Sequence, residues 1–161
     1  MRRKDTVMRR KDKALQKDAA VHLLRDCEYG VLSTVDGEGQ PYGVPLNYVL
    51  MNDCLYFHCA LEGHKLDNIL ASDKVSFCVV GRTNVLPVEF STEFESVIAS
   101  GRASIVEGDE RYQALVGLVE KYSPEFLDEG HKYIEQHDSR TKVVKIDIHS
   151  MTGKAKYPPK I

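Results

Sequence analysis

From Tyr42 to Ala60 the chain alternates in a period of two. Val44, Leu46, Tyr48 and Leu50 alternate with Gly43, Pro45, Asn47 and Val49. After the turn chemistry of Asn52-Asp53, Leu55, Phe57 and Cys59 alternate with Tyr56, His58 and Ala60. This pattern predicts two strands paired as a hairpin. Pro45 has no N–H for a ladder, so its mid-strand position predicts an edge, a bulge, or a backbone facing something other than a strand. Tyr29 to Val35 is β-branched and apolar and runs into Asp36-Gly37-Glu38-Gly39, a strand followed by a strong turn. Val75 to Val80 is almost uninterruptedly apolar, as expected of a central strand buried on both faces. Ser96 to Val106 resumes strand character, with Gly101 marking a bulge or a close backbone approach. Val144, Ile146 and Ile148 alternate with Val143, Lys145 and Asp147, a strand with one wet face.

Helical spacing occupies the rest. Leu15, Ala19, Val21, Leu23 and Leu24 predict an amphipathic helix from about Asp12 to Cys27, with His22 packed near its apolar face. Leu66, Ile69 and Leu70 predict a short helix from Gly63 to about Ser72. The best helix follows Gly108-Asp109-Glu110 and repeats through Tyr112, Leu115, Val116, Val119 and Tyr122. Ser123-Pro124-Glu125 predicts another short helix, broken at Gly130 before His131 to His137. Arg82 to Glu95 has no period and contains Pro87, which predicts a long functional or interfacial connection. About six strands joined mostly by short turns imply an antiparallel sheet that closes into a barrel. The expected fold is mainly β with added helices.

Composition narrows the setting. The chain has 161 residues, a formal charge of −2 and a pI near 6.3, with acids and bases interspersed. One domain over 1–161 is expected, without a nucleic-acid footprint. No apolar run approaches the ~18 to 20 residues of a membrane span, and the basic start is not followed by a secretion core. A cytoplasmic protein is expected. Cys27, Cys54, Cys59 and Cys78 form no C-x-x-C pair and read as apolar fillers. His58 and His64 lack a convincing third ligand, so no metal site is expected. Met1-Arg2-Arg3-Lys4-Asp5 recurs as Met8-Arg9-Arg10-Lys11-Asp12, a basic arm over 1–11. The tail over 153–161 is expected to fray.

The sharpest chemical clue is Lys65. It falls in the first turn of the helix entered at Gly63, where roughly half a positive charge already resides. A cation there is adverse unless an anion lies between the ammonium and the exposed N–H groups, and phosphate is the usual occupant. The alternatives are a solvated Lys65 or a pair with Glu62. No G-x-S-x-G, H-E-x-x-H, G-x-G-x-x-G or Walker A motif occurs, which disfavours hydrolysis and leaves any phosphate-bearing ligand to a barrel.

Four segments in fixed order carry a family resemblance: Gly30-Val31-Leu32-Ser33-Thr34, Pro41-Tyr42-Gly43-Val44-Pro45-Leu46-Asn47-Tyr48-Val49, Tyr56-Phe57-His58-Cys59-Ala60-Leu61-Glu62-Gly63-His64-Lys65, and Val75-Ser76-Phe77-Cys78-Val79-Val80. Together they resemble the flavin-binding split β-barrel of the pyridoxamine-phosphate-oxidase-like superfamily, in its nitroimidazole-resistance branch. The fit starts at Met8, so Met1 to Val7 would be an extra duplication or a start-site ambiguity. The resemblance implies a six-stranded antiparallel split barrel and a homodimer with FMN sites at the subunit interface. Carried over, Pro45, Leu46 and Asn47 would line the isoalloxazine. His58, Cys59 and Ala60 would run beneath the cofactor, and Gly63, His64 and Lys65 would hold its phosphate. Cys59 replaces a serine common in the family, so a hydroxyl contact may be traded for a weaker thiol donor. His58 and Tyr48 are the candidate catalytic proton donors, with a packed strand histidine the alternative for His58. Two function classes stay open: an FMN-dependent reductase of nitroimidazole-like or other small aromatic compounds, and a non-enzymatic flavin- or haem-binding protein that stores or senses its ligand.

Overall fold

The computed structural model describes residues 8–137 and 140–157. Seven strands form one antiparallel sheet: β1 (Gly30–Val35), β2 (Pro41–Leu46), β3 (Val49–Met51), β4 (Cys54–Cys59), β5 (Lys74–Leu86), β6 (Ser91–Val106) and β7 (Lys142–Lys156). Their order is β2-β1-β5-β6-β7-β4-β3. The two edge strands, β2 and β3, are therefore sequence neighbours separated only by Asn47 and Tyr48. Three residue steps span at most about 11 Å, so the sheet must curl until its edges nearly meet. Yet β2 pairs only with β1 and β3 only with β4, which leaves the barrel split along that seam. Pro45 lies on β2, an edge, where a missing N–H costs no ladder bond.

The inside of the curl is the core. Leu32, Leu55, Phe57, Phe77, Val79, Val97, Val144 and Ile146 are fully enclosed, together with Tyr48. Burying each large apolar side chain contributes about 1.5–3 kcal/mol. Helix α1 (Lys17–Asp26) closes one side through Ala20 and Leu24. Helix α2 (His64–Ala71) is fastened to β1 by a buried hydrogen bond of 2.9 Å from the Asn68 amide to the Thr34 hydroxyl. A second cluster forms where α3 (Gly108–Tyr122) and α4 (Leu127–His137) cover β3 and β4, enclosing Val49, Tyr56, Leu115, Leu118, Ile134 and Val143. Gly101 marks the bulge in β6: a Cβ there would come 2.1 Å from the Asp147 carbonyl oxygen.

Several sequence expectations change. The sheet has seven strands where six were expected, because the long alternating stretch from Tyr42 to Leu50 is cut at Asn47-Tyr48 into β2 and β3. Only β3 and β4 form the expected hairpin. Residues 82–95 are not an unpatterned connection. They extend β5 and begin β6 around a 3-10 turn at Pro87–Glu89, an arm whose two faces are both open and so show no apolar period. β5 is interior to the sheet, but Val80 is exposed and Cys78 only half-covered, so one of its faces lies outside the core. Val143 and Val144 are both buried, since α3 and α4 cover what would otherwise be the wet face at that end of β7. Gly153 to Lys156 do not fray. They complete β7, where Gly153 packs under Leu15 and Ala20, and residues 158–161 lie outside the described residues. α1 starts at Lys17, after a 3-10 turn at Lys11–Lys13, and its His22 is exposed and 3.1 Å from Asp26. Of the basic arm, residues 1–7 lie outside the described residues, and Arg10 pairs with Asp12 at the surface. Gly130 does not break α4. It lets the helix approach α3, since a Cβ would meet Val119 at 2.3 Å.

Candidate functional site

The sequence-derived site residues fall on β2, the Asn47-Tyr48 link, β4 and the start of α2. Gly63 is the N-cap of α2 and has φ +145°, a conformation open to glycine, and no side chain caps the helix. The first helical hydrogen bonds run from the Leu66 and Asp67 amides to the Gly63 carbonyl, at 2.8 and 3.2 Å. The amides of His64 and Lys65 precede that ladder, at the positive end of the helix. The His64 ring packs on Tyr42 of β2 with centroids 4.3 Å apart, which ties this entrance to the sheet edge. Lys65 is half-buried and does not pair with Glu62 among the described residues. A second ammonium, Lys142 of β7, stands opposite Cys59 in register. Both Lys65 and Lys142 bear electrostatically on Cys59.

β4 sorts its residues between two faces. Leu55, Phe57 and Cys59 point into the core, while His58 and Ala60 are outside. The Cys59 thiol is therefore core packing, its pKa raised by burial, and a contact from this residue to a ligand would come from its backbone. His58 is exposed at its tip but sits in a concavity. Loss of hydration, and then the charge of Lys65, holds its pKa below the ordinary imidazole value. The ring is neutral at neutral pH, which suits it to hydrogen bonding and positioning better than to acting as an imidazolium acid. On β2, Pro45 is exposed and Leu46 half-buried, so the two face opposite sides, and Asn47 follows at the surface.

Tyr48 is placed differently from what its proximity in sequence implied. It is fully buried, its ring meets Phe77 edge-on at 4.8 Å, and its hydroxyl donates to the Leu24 carbonyl at 2.5 Å. Burial drives its pKa strongly upward. The Lys121 ammonium lies 3.9 Å from the ring centroid and donates to the Cys27 carbonyl at 2.8 Å. This phenol is a structural anchor with no open path to a reactant. The Tyr122 hydroxyl, which sits between the Glu28 and Tyr48 carbonyls and accepts from the Tyr48 amide at 3.0 Å, clamps the same link. The end of α3 thereby fixes Asn47 at the seam.

Beside this seam a cavity of about 370 Å³ opens between α3, α4 and β4. Asn47 and His58 form one wall, and Leu115, Leu118, Val119, Ile134 and Tyr133 supply most of the apolar surface. His137, Arg140 and Thr141 complete the rim. Among the described residues no cluster of His, Cys, Asp and Glu could hold a metal ion, and no helix is long and apolar enough to cross a membrane.

The sheet order, the seam and the α2 entrance agree with comparison to known families. The model of the family described as pyridoxamine 5'-phosphate oxidase matches residues 16–155. The chain belongs to this family. Among solved structures, it resembles a candidate 5-nitroimidazole antibiotic resistance protein from Bacteroides thetaiotaomicron (23% identity, TM-score 0.72, covering 88% of this chain and 86% of that one). A conserved hypothetical protein from Mycobacterium tuberculosis aligns at 18% identity with a TM-score of 0.80, over 96% of both chains. An FAD- and haem-binding protein from Mycobacterium smegmatis aligns at 17% identity with a TM-score of 0.78, over 92% of this chain and 77% of that one. At these identities the likeness establishes the split-barrel fold. A search of curated proteins found no match.

Within this family member, sequence reasoning located β2, β4 and the α2 entrance but missed Lys142, Tyr122, Tyr133, His137 and Arg140. These lie some 60 or more residues further along the chain and reach the site only through the β4–β7 pairing and the packing of α3 and α4. The one available signal was the tyrosine and histidine content of 122–137, which reads equally well as helix packing.

Proposed function

We propose that the protein binds FMN along the seam between β2 and β4 and serves as a flavin-dependent reductase of small aromatic or nitro compounds. The observation that carries this reading is the α2 entrance. Uncapped amides at the positive end of the helix, a half-buried Lys65 with no acid partner among the described residues, and Lys142 nearby suit a phosphate group. Gly63, His64 and Lys65 would hold the phosphate, and Pro45, Leu46, Asn47, His58 and the backbone of Cys59 and Ala60 would border the ring system. The bound flavin supplies the electron chemistry. The chain's own residues orient it, restrict water, and present the neutral imidazole of His58 as a hydrogen-bonding group.

The site needs a second copy of the chain. On the outer face of the sheet, Val31, Cys78 and Ile98 stand in one row, with Val80 on the same face one pair further along β5. Val80 is 58% and Ile98 48% exposed, and the β5–β6 arm carries Val85, Val88 and Phe90 almost bare. Apolar surface of this extent, next to the edge strand that carries Pro45, fits a homodimer with the flavin at its interface.

The deciding experiment is a spectrum of the purified protein with and without added FMN, followed by anaerobic reduction and addition of a nitroimidazole. Reoxidation that depends on the nitro compound supports the reductase. Flavin or haem bound without substrate-dependent turnover supports the storage or sensing alternative, which several flavin- and haem-binding structural neighbours keep in view.

A further inference from the structure

The cavity behind His58 is distinct from the phosphate entrance at α2, and its chemistry is different. Its depth is apolar: Leu115 and Leu118 of α3 and Ile134 of α4 are each at most 8% exposed. Its polar groups converge at the rim. His137 Nδ1 lies 3.0 Å from the Tyr133 carbonyl oxygen, which can only accept, so Nδ1 carries the proton and the neutral ring keeps Nε2 as an acceptor. The same ring stacks on Tyr133 at 4.0 Å with an interplanar angle of 22°, a flat aromatic wall. Arg140 supplies a cation at the mouth and has no acid partner among the described residues. The volume of about 370 Å³ sits near the lower end for ligand pockets, suited to one or two fused rings and not to a macrocycle.

We infer that this cavity takes the organic reactant, a planar aromatic of one or two rings bearing an anionic or nitro group, with its ring against Leu115, Leu118 and Ile134 and its oxygens toward Arg140. The inference rests on the flavin reading insofar as Asn47 and His58 belong both to the cavity wall and to the proposed flavin border. It also accounts for why His58 is held neutral: an uncharged imidazole between two sites can hydrogen-bond to either occupant without repelling Arg140 or Lys65.

The test titrates full-length protein, FMN-loaded and flavin-free, with 4-nitrobenzoate and with nitrobenzene by calorimetry. Both compounds are expected to bind the loaded form in the low-millimolar range or tighter. Arg140→Gln should weaken 4-nitrobenzoate by about three- to tenfold, a charged hydrogen bond discounted for exposure, and nitrobenzene by less than about twofold. Tyr133→Ala, also a surface change, should weaken both compounds. FMN content and melting temperature should be unchanged in both variants. The inference is overturned if neither form binds 4-nitrobenzoate below about 10 mM, if Arg140→Gln leaves its affinity unchanged, or if the compound expels FMN. If the protein takes up no FMN yet binds 4-nitrobenzoate in an Arg140-dependent way, the flavin reading fails and the cavity assignment stands.

Discussion

Lys65→Ala separates the phosphate reading from a merely solvated lysine, because the two predict opposite signs. In the flavin-free protein Lys65 places a cation at the positive end of α2, an arrangement that costs about 0.3–1 kcal/mol. Removing it should leave stability unchanged or raise the melting temperature by about 1–3 °C. With FMN bound, the same ammonium faces a phosphate dianion, and a hydrogen bond to a charged group contributes about 1.5–3 kcal/mol. Lys65 is half-buried, and the His64 and Lys65 amides remain as donors after the substitution, so the expected loss lies toward the lower end, about 1.5–2 kcal/mol. That corresponds to roughly a ten- to thirtyfold weaker Kd for FMN. Riboflavin, which lacks the phosphate, should bind the variant and the original protein alike, and more weakly than FMN binds the original. Quenching of flavin fluorescence reads both ligands, and the FMN difference should shrink as salt is raised. An equal loss for FMN and riboflavin, or no loss for FMN, would refute the phosphate assignment.

Three further outcomes follow from the geometry. Ile98→Lys puts a charge in the centre of the outer apolar row and should convert a dimer to a monomer in sedimentation, with flavin content falling alongside; a monomeric original protein that still binds flavin would sink the interface site. Gly101→Ala drives a methyl group into the Asp147 carbonyl and should destabilise the fold by about 3 kcal/mol in denaturant unfolding, since backbone on both sides leaves little room to yield. For His58, the depressed folded pKa means that the unfolded chain takes up a proton first as pH falls. Its contribution is present above about pH 6.5 and lost below it, so His58→Gln should flatten the fall in stability between about pH 7 and 5. If His58 also positions the reactant, the same variant should keep its FMN and lose about ten- to a thousandfold in turnover, and an unchanged rate per bound flavin would retire it from the chemistry.

The one-dimensional pattern carried every element whose register is set by its immediate neighbours. β1 and its turn, β4, α2, α3 and the Gly101 bulge are legible because one face of each is buried and the other is not, or because a single residue type suits the backbone. Pro45 signalled an edge, and Lys65 signalled an anion, for local reasons that packing does not alter. The cut at Asn47-Tyr48 was not legible: the apolar alternation runs straight through it, and only the curl of the sheet assigns Pro41–Leu46 to β1 and Val49–Met51 to β4. Tyr48 shows the consequence. A tyrosine beside candidate ligand residues reads as chemistry in sequence, whereas the core between Leu24, Phe77 and Lys121 makes it an anchor. Likewise the β5–β6 arm shows no apolar period because neither of its faces meets this chain's core, and Arg140 reaches His58 only because β7 pairs with β4 and α4 folds onto α3. Sequence spacing determines which face of an element is apolar. Which distant element covers that face, and so which polar groups are left to line a cavity, is settled only when the sheet closes.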